Sequence, residues 1–310
     1  MTTTPGPLTT PGAPVPHAAT REVDGCSFAL RGRIDVTALR AAYAALLEEY
    51  PALAARVTAE HDRFRFAPGD PAVAAAIGFR DTAAPWAGFA QTPPSFVGTE
   101  QLSALWLTGI GEENRLTLWI SRAAAQPVGV LAPARRLFEF YTALAAGDRP
   151  RVHRPIGVRA FGFPTEPQRL PAAGGRPARE PEGARTDDAL RLRLDARTTA
   201  DLLDTAQVRA IPLGELVGEL LDRAGAPAGR IEDLGTVGAP VAPANLEVPD
   251  FHSHRTAAAP QEDSYVLSVF AGRLSVELRA RPGTPAAESE RLLLRIEDEI
   301  RSLLPVGTAA

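Results

Sequence analysis

Apolar residues recur along this chain with two periods, and the switch from one to the other marks out its elements. The run from Leu116 to Ile120 is apolar and rich in β-prone residues, the pattern of a buried strand. Further on, Leu131, Ala134, Leu137, Phe138, Tyr141 and Leu144 are spaced by threes and fours and fall on one helical face. Gly147 is placed to end that helix, because glycine takes a left-handed cap without strain. Between strand and helix, Ser121 to Gly129 forms a strand-end loop, a common place for chemistry. The loop contains no His, Asp, Glu or Cys.

The same periods organise the rest. Cys26 to Leu30 reads as a strand, Gly32 turns the chain, and Asp35 or Thr37 caps a helix whose stripe is Val36, Leu39, Tyr43, Leu46 and Leu47. Pro51 stops it. Phe64 and Phe66 alternate as in a strand, and Leu102 to Leu107 is expected to pair with Leu116 to Ile120 across a turn at 109–114. Downstream, Ala189 to Leu194 alternates, Asp195 or Thr198 caps a helix through Leu202, Leu203 and Ala206, and Pro212 opens another through Leu216, Val217, Leu220 and Leu221. Tyr265 to Phe270 and Leu274 to Leu278 form a hairpin, and a final helix over 286–304 carries Leu292, Leu293, Ile296 and Ile300. Residues 234–250 are weakly patterned, and the run GTVGAP within them reads as a loop. The expected organisation is a disordered Pro/Thr-rich tail over 1–20, a first half over 21–150, a Pro/Gly-rich crossover linker over 151–185, and a second half over 186–310.

Composition narrows the classes. With 45% hydrophobic and 23% charged residues in 310, the chain matches an ordinary globular protein of one large or two closely packed domains. A net charge of -4 and a pI near 5.8 give no field for nucleic acid. A single cysteine, Cys26, excludes an internal disulfide and a Cys-based zinc site. No apolar run approaches the roughly 20 residues that span a bilayer. The N-terminus lacks the basic start and apolar core of a signal peptide, so a cytoplasmic location is expected. Abundant Ala, Arg and Pro is the usage of high-GC bacterial genomes, which is association and not physics.

The strand, loop and helix over 115–147 resemble the active-site segment of the condensation-domain and polyketide-associated acyltransferase superfamily, which shares the chloramphenicol acetyltransferase fold. Members carry His-His-x-x-x-Asp-Gly at such a strand end, followed by a helix reading Leu-Phe-x-x-Tyr and then Gly. Leu137, Phe138, Tyr141 and Gly147 stand at matching spacing. Counting back, Ser121 and Arg122 occupy the histidine places, Gln126 the aspartate place and Pro127 the glycine place. The opening FALRGRIDVTALRAAYAALLEEYPALAARV and the ending around Ala271-Gly272-Arg273 are also similar to members. The resemblance implies an α/β (α+β) fold of two halves around a central cleft. Full-length members have further elements after the second-half helices, including a latch that crosses between halves. This chain passes from Gly225 almost directly to 234–250, so a truncated second half is expected.

The resemblance also implies what chemistry is missing. In the family the second histidine deprotonates the acyl acceptor, and Arg122 cannot, because a guanidinium stays protonated. Arg122 either grips a carboxylate or phosphate of a ligand or pairs with an internal acid. His252-Ser253-His254 suits a metal only if Asp250 or Glu262 folds in, and the expectation is a solvated loop. No P-loop, Rossmann fingerprint or nucleophile elbow is present, and no cofactor or metal is expected. Three functions follow. The first is a repurposed cyclase-type enzyme, pericyclic chemistry included, that folds a polyketide-like small molecule in the cleft by positioning alone. Its substrate-binding residues would be Ser121, Arg122, Ala124, Gln126, His252 and His254, with small alanines at 123–125 widening the channel. The second is a non-catalytic module that binds a carrier protein or partner enzyme. The third is an acyltransferase whose base has moved to His252 or His254.

Overall fold

A computed structural model of the chain describes residues 23–60, 63–67, 69–80, 96, 101–110, 112–125, 129–153, 190–256, 262–281 and 283–304. The expected tail, Gln126 and almost all of the expected linker lie outside the described residues.

The first part of the chain builds β1 (Val23–Gly32), α1 (Val36–Glu49), the hairpin β2 (Arg56–Glu60) and β3 (Arg63–Ala67), the single turn α2 (Pro71–Ala74), and β4 (Ile77–Arg80). It continues with β5 (Ser103–Ile110), β6 (Glu113–Ser121), a turn of helix α3 (Arg122–Ala125) and α4 (Leu131–Ala145). Local chemistry sets the helix ends. Asp35 caps α1 by accepting the Ala38 N–H at 3.0 Å. Gly147, at φ +81, closes α4 with its N–H on the Leu144 carbonyl. The expected stripes of α1 and α4 are buried on one face of the sheet, where the Phe138 ring meets Phe28 edge-on at 5.0 Å. Tyr43 reaches through that core to Ser103 at 2.7 Å, and Tyr141 accepts the Asp35 N–H at 3.0 Å. The strand-end loop is shorter than expected, since Ser121 ends β6 and residues 122–125 turn as a helix.

The second part builds β7 (Leu190–Arg193), α5 (Ala196–Val208), α6 (Leu213–Arg223), β8 (Gly229–Val237), β9 (Leu246–Thr256), β10 (Asp263–Phe270), β11 (Arg273–Arg279) and α7 (Ala286–Leu303). Its four-stranded sheet runs β7-β11-β10-β8 and buries Leu267, Leu274 and Val276 against α5, α6 and α7. Two sequence readings change here. Gly235, Thr236 and Val237 of the run GTVGAP finish β8, and Gly235 (φ +62) sits where the β8–β10 register shifts, as a bulge requires. The crossing element expected to be missing is present as β9. It leaves the second sheet and pairs antiparallel with β1, making the first sheet β4-β5-β6-β1-β9. Val237, Leu246, Phe251 and Phe270 thereby join the first core.

Pairing with β1 uses one edge of β9, and the other edge needs partners. Side chains from the second sheet supply them. Arg193 donates to the Pro249 carbonyl at 3.1 Å, Arg191 to Phe251 at 3.1 Å and Arg279 to Ser253 at 2.9 Å. The Phe251 N–H is taken by the Asp250 carboxylate at 2.8 Å, and Pro249 has no N–H to satisfy. Arg191 also holds Asp250 through two bonds of 2.7 and 2.9 Å and donates to Ser275 at 2.6 Å. The fit follows from strand geometry, because alternate residues of β7 and β11 point to one face. Arg191→Ala is expected to lower unfolding free energy by about 3–5 kcal/mol, as for other broken buried ion pairs. Urea denaturation followed by circular dichroism measures this, and a loss within about 1 kcal/mol, the size typical of exposed pairs, would show that the edge is held by other groups.

Candidate functional site

The ladder between β1 and β9 is the seam at which the two parts of the chain meet. Ser27 lies opposite His252, and Gly25 opposite His254, so these residues share one face. The histidines are therefore not in a solvated loop. They are buried at 5% and 9% exposure in the middle of a strand. Glycine at position 25 is needed because Trp119 lies across it, and an added Cβ would come within 2.4 Å of that ring. Trp119 in turn packs on the His254 imidazole at 5.0 Å.

Hydrogen bonding assigns the charge states. The His254 Nε2 is 2.6 Å from the Ser27 hydroxyl, which is 2.7 Å from the Thr117 hydroxyl. The His252 Nε2 meets an Arg191 Nη1–H. A guanidinium only donates, so this nitrogen accepts and the proton sits on Nδ1, 3.2 Å from Glu277 Oε1. That contact is poorly aligned, and the Oε1 atom has no hydrogen-bond partner among the described residues. Burial, reinforced by Arg191, holds His252 well below the usual imidazole range, and burial brings His254 down to about 3. Burial raises the Glu277 carboxyl against the opposing pull of Arg279 and Arg191. For Asp250, burial is outweighed by the hydrogen bonds and charge of Arg191, leaving it below its ordinary value. Both imidazoles are neutral at pH 7 and weak bases. Among the described residues no group of His, Cys, Asp and Glu is placed to hold a metal ion.

Open space lies at the two ends of this seam. One pocket, of about 200 Å³, has apolar walls of Val130, Leu131, Leu234 and Phe251, with Asp24, Glu232, His254 and Arg255 also lining it. A chain of charges runs along its side. Arg122 Nε is 3.4 Å from Asp24, Asp24 is 3.6 Å from Arg255, and Arg255 pairs with Glu232. Arg122 thus has the internal acid as partner. Of the other residues singled out from the sequence, His254 lines this pocket. Ser121 is fully buried at the end of β6, Ala124 packs in the first core, and neither lines it. Gln126 is outside the described residues, as is the glycine place of the motif, Pro127. Sequence reasoning missed Asp24, Ser27, Arg191, Glu232, Arg255 and Glu277. For Arg191 and Glu277 a signal existed, since charged residues alternate with apolar ones along β7 and β11.

Against known proteins, no family model and no curated protein matches the sequence. Solved structures do. Polyketide synthase associated protein 5 from Mycobacterium tuberculosis superposes with a TM-score of 0.62 at 16% identity, over 94% of this chain and 99% of that one. The first condensation domain of the calcium-dependent antibiotic synthetase, in complex with a substrate analogue, gives 0.61 at 14% identity, over 92% and 91%. A structure described for condensation domain-mediated chain release from the enacyloxin polyketide synthase gives 0.55 at 13% identity, over 94% and 79%. At these identities the likeness is one of fold. This chain has the two-part α/β fold of condensation domains and polyketide synthase associated proteins.

The neutral histidines give the stability a defined pH dependence. A folded-state pKa below the unfolded value means that the unfolded chain takes up the proton first, so stability falls as pH drops below about 6.5. For His254 this loss continues down to a pH of about 3. Glu277 acts in the opposite sense, because its raised carboxyl favours the folded state as pH falls. Comparing the full chain with His254→Asn from pH 7 to pH 5 isolates the imidazole. The variant is expected to lose less stability over that interval, by up to about 1.4 kcal/mol per pH unit, and parallel curves would show that His254 takes up its proton as readily in the fold as in the unfolded chain.

Proposed function

We propose that this chain of condensation-domain fold serves natural-product biosynthesis as a cyclase-type enzyme, closing a ring in a polyketide-like substrate held in the pocket lined by β8, β9 and the start of α4. One observation carries the reading. Apolar walls meet a fixed line of charge in that pocket, while the two histidine places of the resembled motif hold a buried serine and an ion-paired arginine. Ring closure, pericyclic closure included, is accelerated by holding the reacting ends in a near-attack geometry and requires no proton transfer. The biosynthetic setting is supported by structural neighbours named as condensation domains and as a polyketide synthase associated protein.

The roles follow from placement. Val130, Leu131, Leu234 and Phe251 fold the substrate. Arg255 is the cation in the pocket lining, and it stabilises an oxygen on which charge develops during closure. Arg122 acts through Asp24, which stands between it and Arg255, and is a positioning residue. Ser121 and Ala124 support the end of β6 from inside the core. His252 and His254 act as neutral hydrogen-bonding groups that keep the seam in register. Acyl transfer from an acyl-CoA to simple alcohols or amines is expected to be absent, since an imidazole with a pKa of about 3 is a poor base at pH 7.

A second reading, a non-catalytic module that docks a carrier protein or partner enzyme, is favoured by the size of the pocket. Its 200 Å³ is below the roughly 300–1,000 Å³ of sites for drug-sized ligands. Leu234→Trp separates the two readings, because Leu234 is only partly buried and a larger ring there fills the pocket. In the native host this variant is expected to fold, by circular dichroism of the purified protein, and to accumulate an open-chain isomer with the mass of the cyclised product. Wild-type product levels from the folded variant would remove the cyclase reading and leave the docking module.

A further inference from the structure

The second pocket lies at the other end of the seam and shares no lining residue with the first. Its volume is about 300 Å³. Ala29, Leu30 and Pro249 provide its apolar wall, and Arg193, Asp250, Arg31 and Glu113 its charged groups.

Arg193 is the unusual member. Its Nη2 donates to the Pro249 carbonyl at 3.1 Å, and its Nη1 lies 3.2 Å from Asp250. Its Nε is buried and has no hydrogen-bond partner among the described residues. The Asp250 carboxylate is already held by Arg191 through two shorter bonds. Two guanidinium groups thus share one carboxylate, and the uncompensated charge falls on Arg193. Burial pushes its guanidinium below the ordinary value in spite of Asp250, and Arg191 and Arg273 add to the push. Arg31 contributes less, because it is exposed, bound to Glu247 at 3.3 Å and opposite Glu113 across the β1–β6 ladder.

We propose that this pocket binds a small carboxylic acid with an apolar body, its carboxylate on Arg193 and its body against Ala29, Leu30 and Pro249. A planar guanidinium matches the two oxygens of a carboxylate, and a single negative charge balances the excess at Arg193. A phosphate dianion fits less well, because Asp250 and Glu113 repel the second charge.

Isothermal titration of the full chain with sodium hexanoate, hexanamide and sodium phosphate at matched, low ionic strength tests the proposal. Hexanoate is expected to bind saturably with one site, and hexanamide, the neutral analogue, about 10- to 100-fold more weakly, the range of a charge-assisted hydrogen bond. Phosphate is expected not to displace hexanoate. Arg193→Gln should weaken hexanoate by a similar factor. Because that residue also caps Pro249, Glu113→Gln provides a second test at an exposed position. It is expected to tighten hexanoate about two- to threefold by removing a repelling charge. Leu234→Trp should leave hexanoate binding unchanged, which keeps this site separate from the proposed cyclase pocket. Equal binding of acid and amide, no saturable binding of hexanoate, or displacement by phosphate would each overturn the assignment.

Discussion

Three backbone carbonyls on the outer edge of one strand determine how the two sheets of this protein meet. Pro249, Phe251 and Ser253 project them from β9, and Arg193, Arg191 and Arg279 of the second sheet receive them. Buried carbonyls without donors would be costly, so the strand cannot take its place beside β1 unless the arginines are in theirs. The arginines in turn need buried anions, which Asp250 of β9 supplies to Arg191 and Arg193 and Glu277 of β11 to Arg279. Such an arrangement adds less net stability than an apolar core of equal volume would. What it does add is register. A slip of one residue would turn His252 and His254 away from Ser27 and Arg191 and strand every guanidinium.

The same constraint shapes the chemistry. Arg191 can donate to His252 only while that imidazole is neutral, and a neutral pair of histidines lets Ser27, Thr117 and Trp119 close over them. The middle of the seam is consequently filled, and space remains at its two ends. Near one end the residues at the places of the resembled acid–base motif are absorbed into structure, Ser121 into a strand and Arg122 into a pair with Asp24. What remains at the pocket between β8, β9 and the start of α4 is shape and fixed charge, the properties that a positioning enzyme uses.

Most of the architecture was legible from periodicity alone. The stripes of α1 and α4, the pairing of β5 with β6, and the hairpin of β10 with β11 appear where spacing places them. Each of these buries apolar residues, and apolar residues are what periodicity detects. The strand β9 escaped because its polar residues look like surface. Asp250, His252 and His254 alternate with Phe251 and Ser253, which is a strand pattern, but Pro249 and two histidines argue for a loop unless their partners are known. Those partners are remote, since Arg191 is 59 residues before Asp250 and Ser27 is 227 before His254. Matching the alternation of Arg191 and Arg193, and of Glu277 and Arg279, against that of β9 would have suggested a buried polar interface. The packing of Ala124 in the first core was not legible for a related reason, in that a small residue in a loop sequence gives no sign of the core packed against it.

If β9 is the strap that makes one cooperative unit of two cores, its amides cannot exchange independently of either. Native-state hydrogen exchange measures this directly. Along the β1–β9 ladder, the amides of His252 and His254 are expected to exchange only by global unfolding, with the same opening free energy as Leu118 in β6 and Val276 in β11. Exchange of the β9 amides at a distinctly lower free energy, while both cores stay protected, would mean that the strand opens on its own and that the arginine-capped edge does not join the two parts.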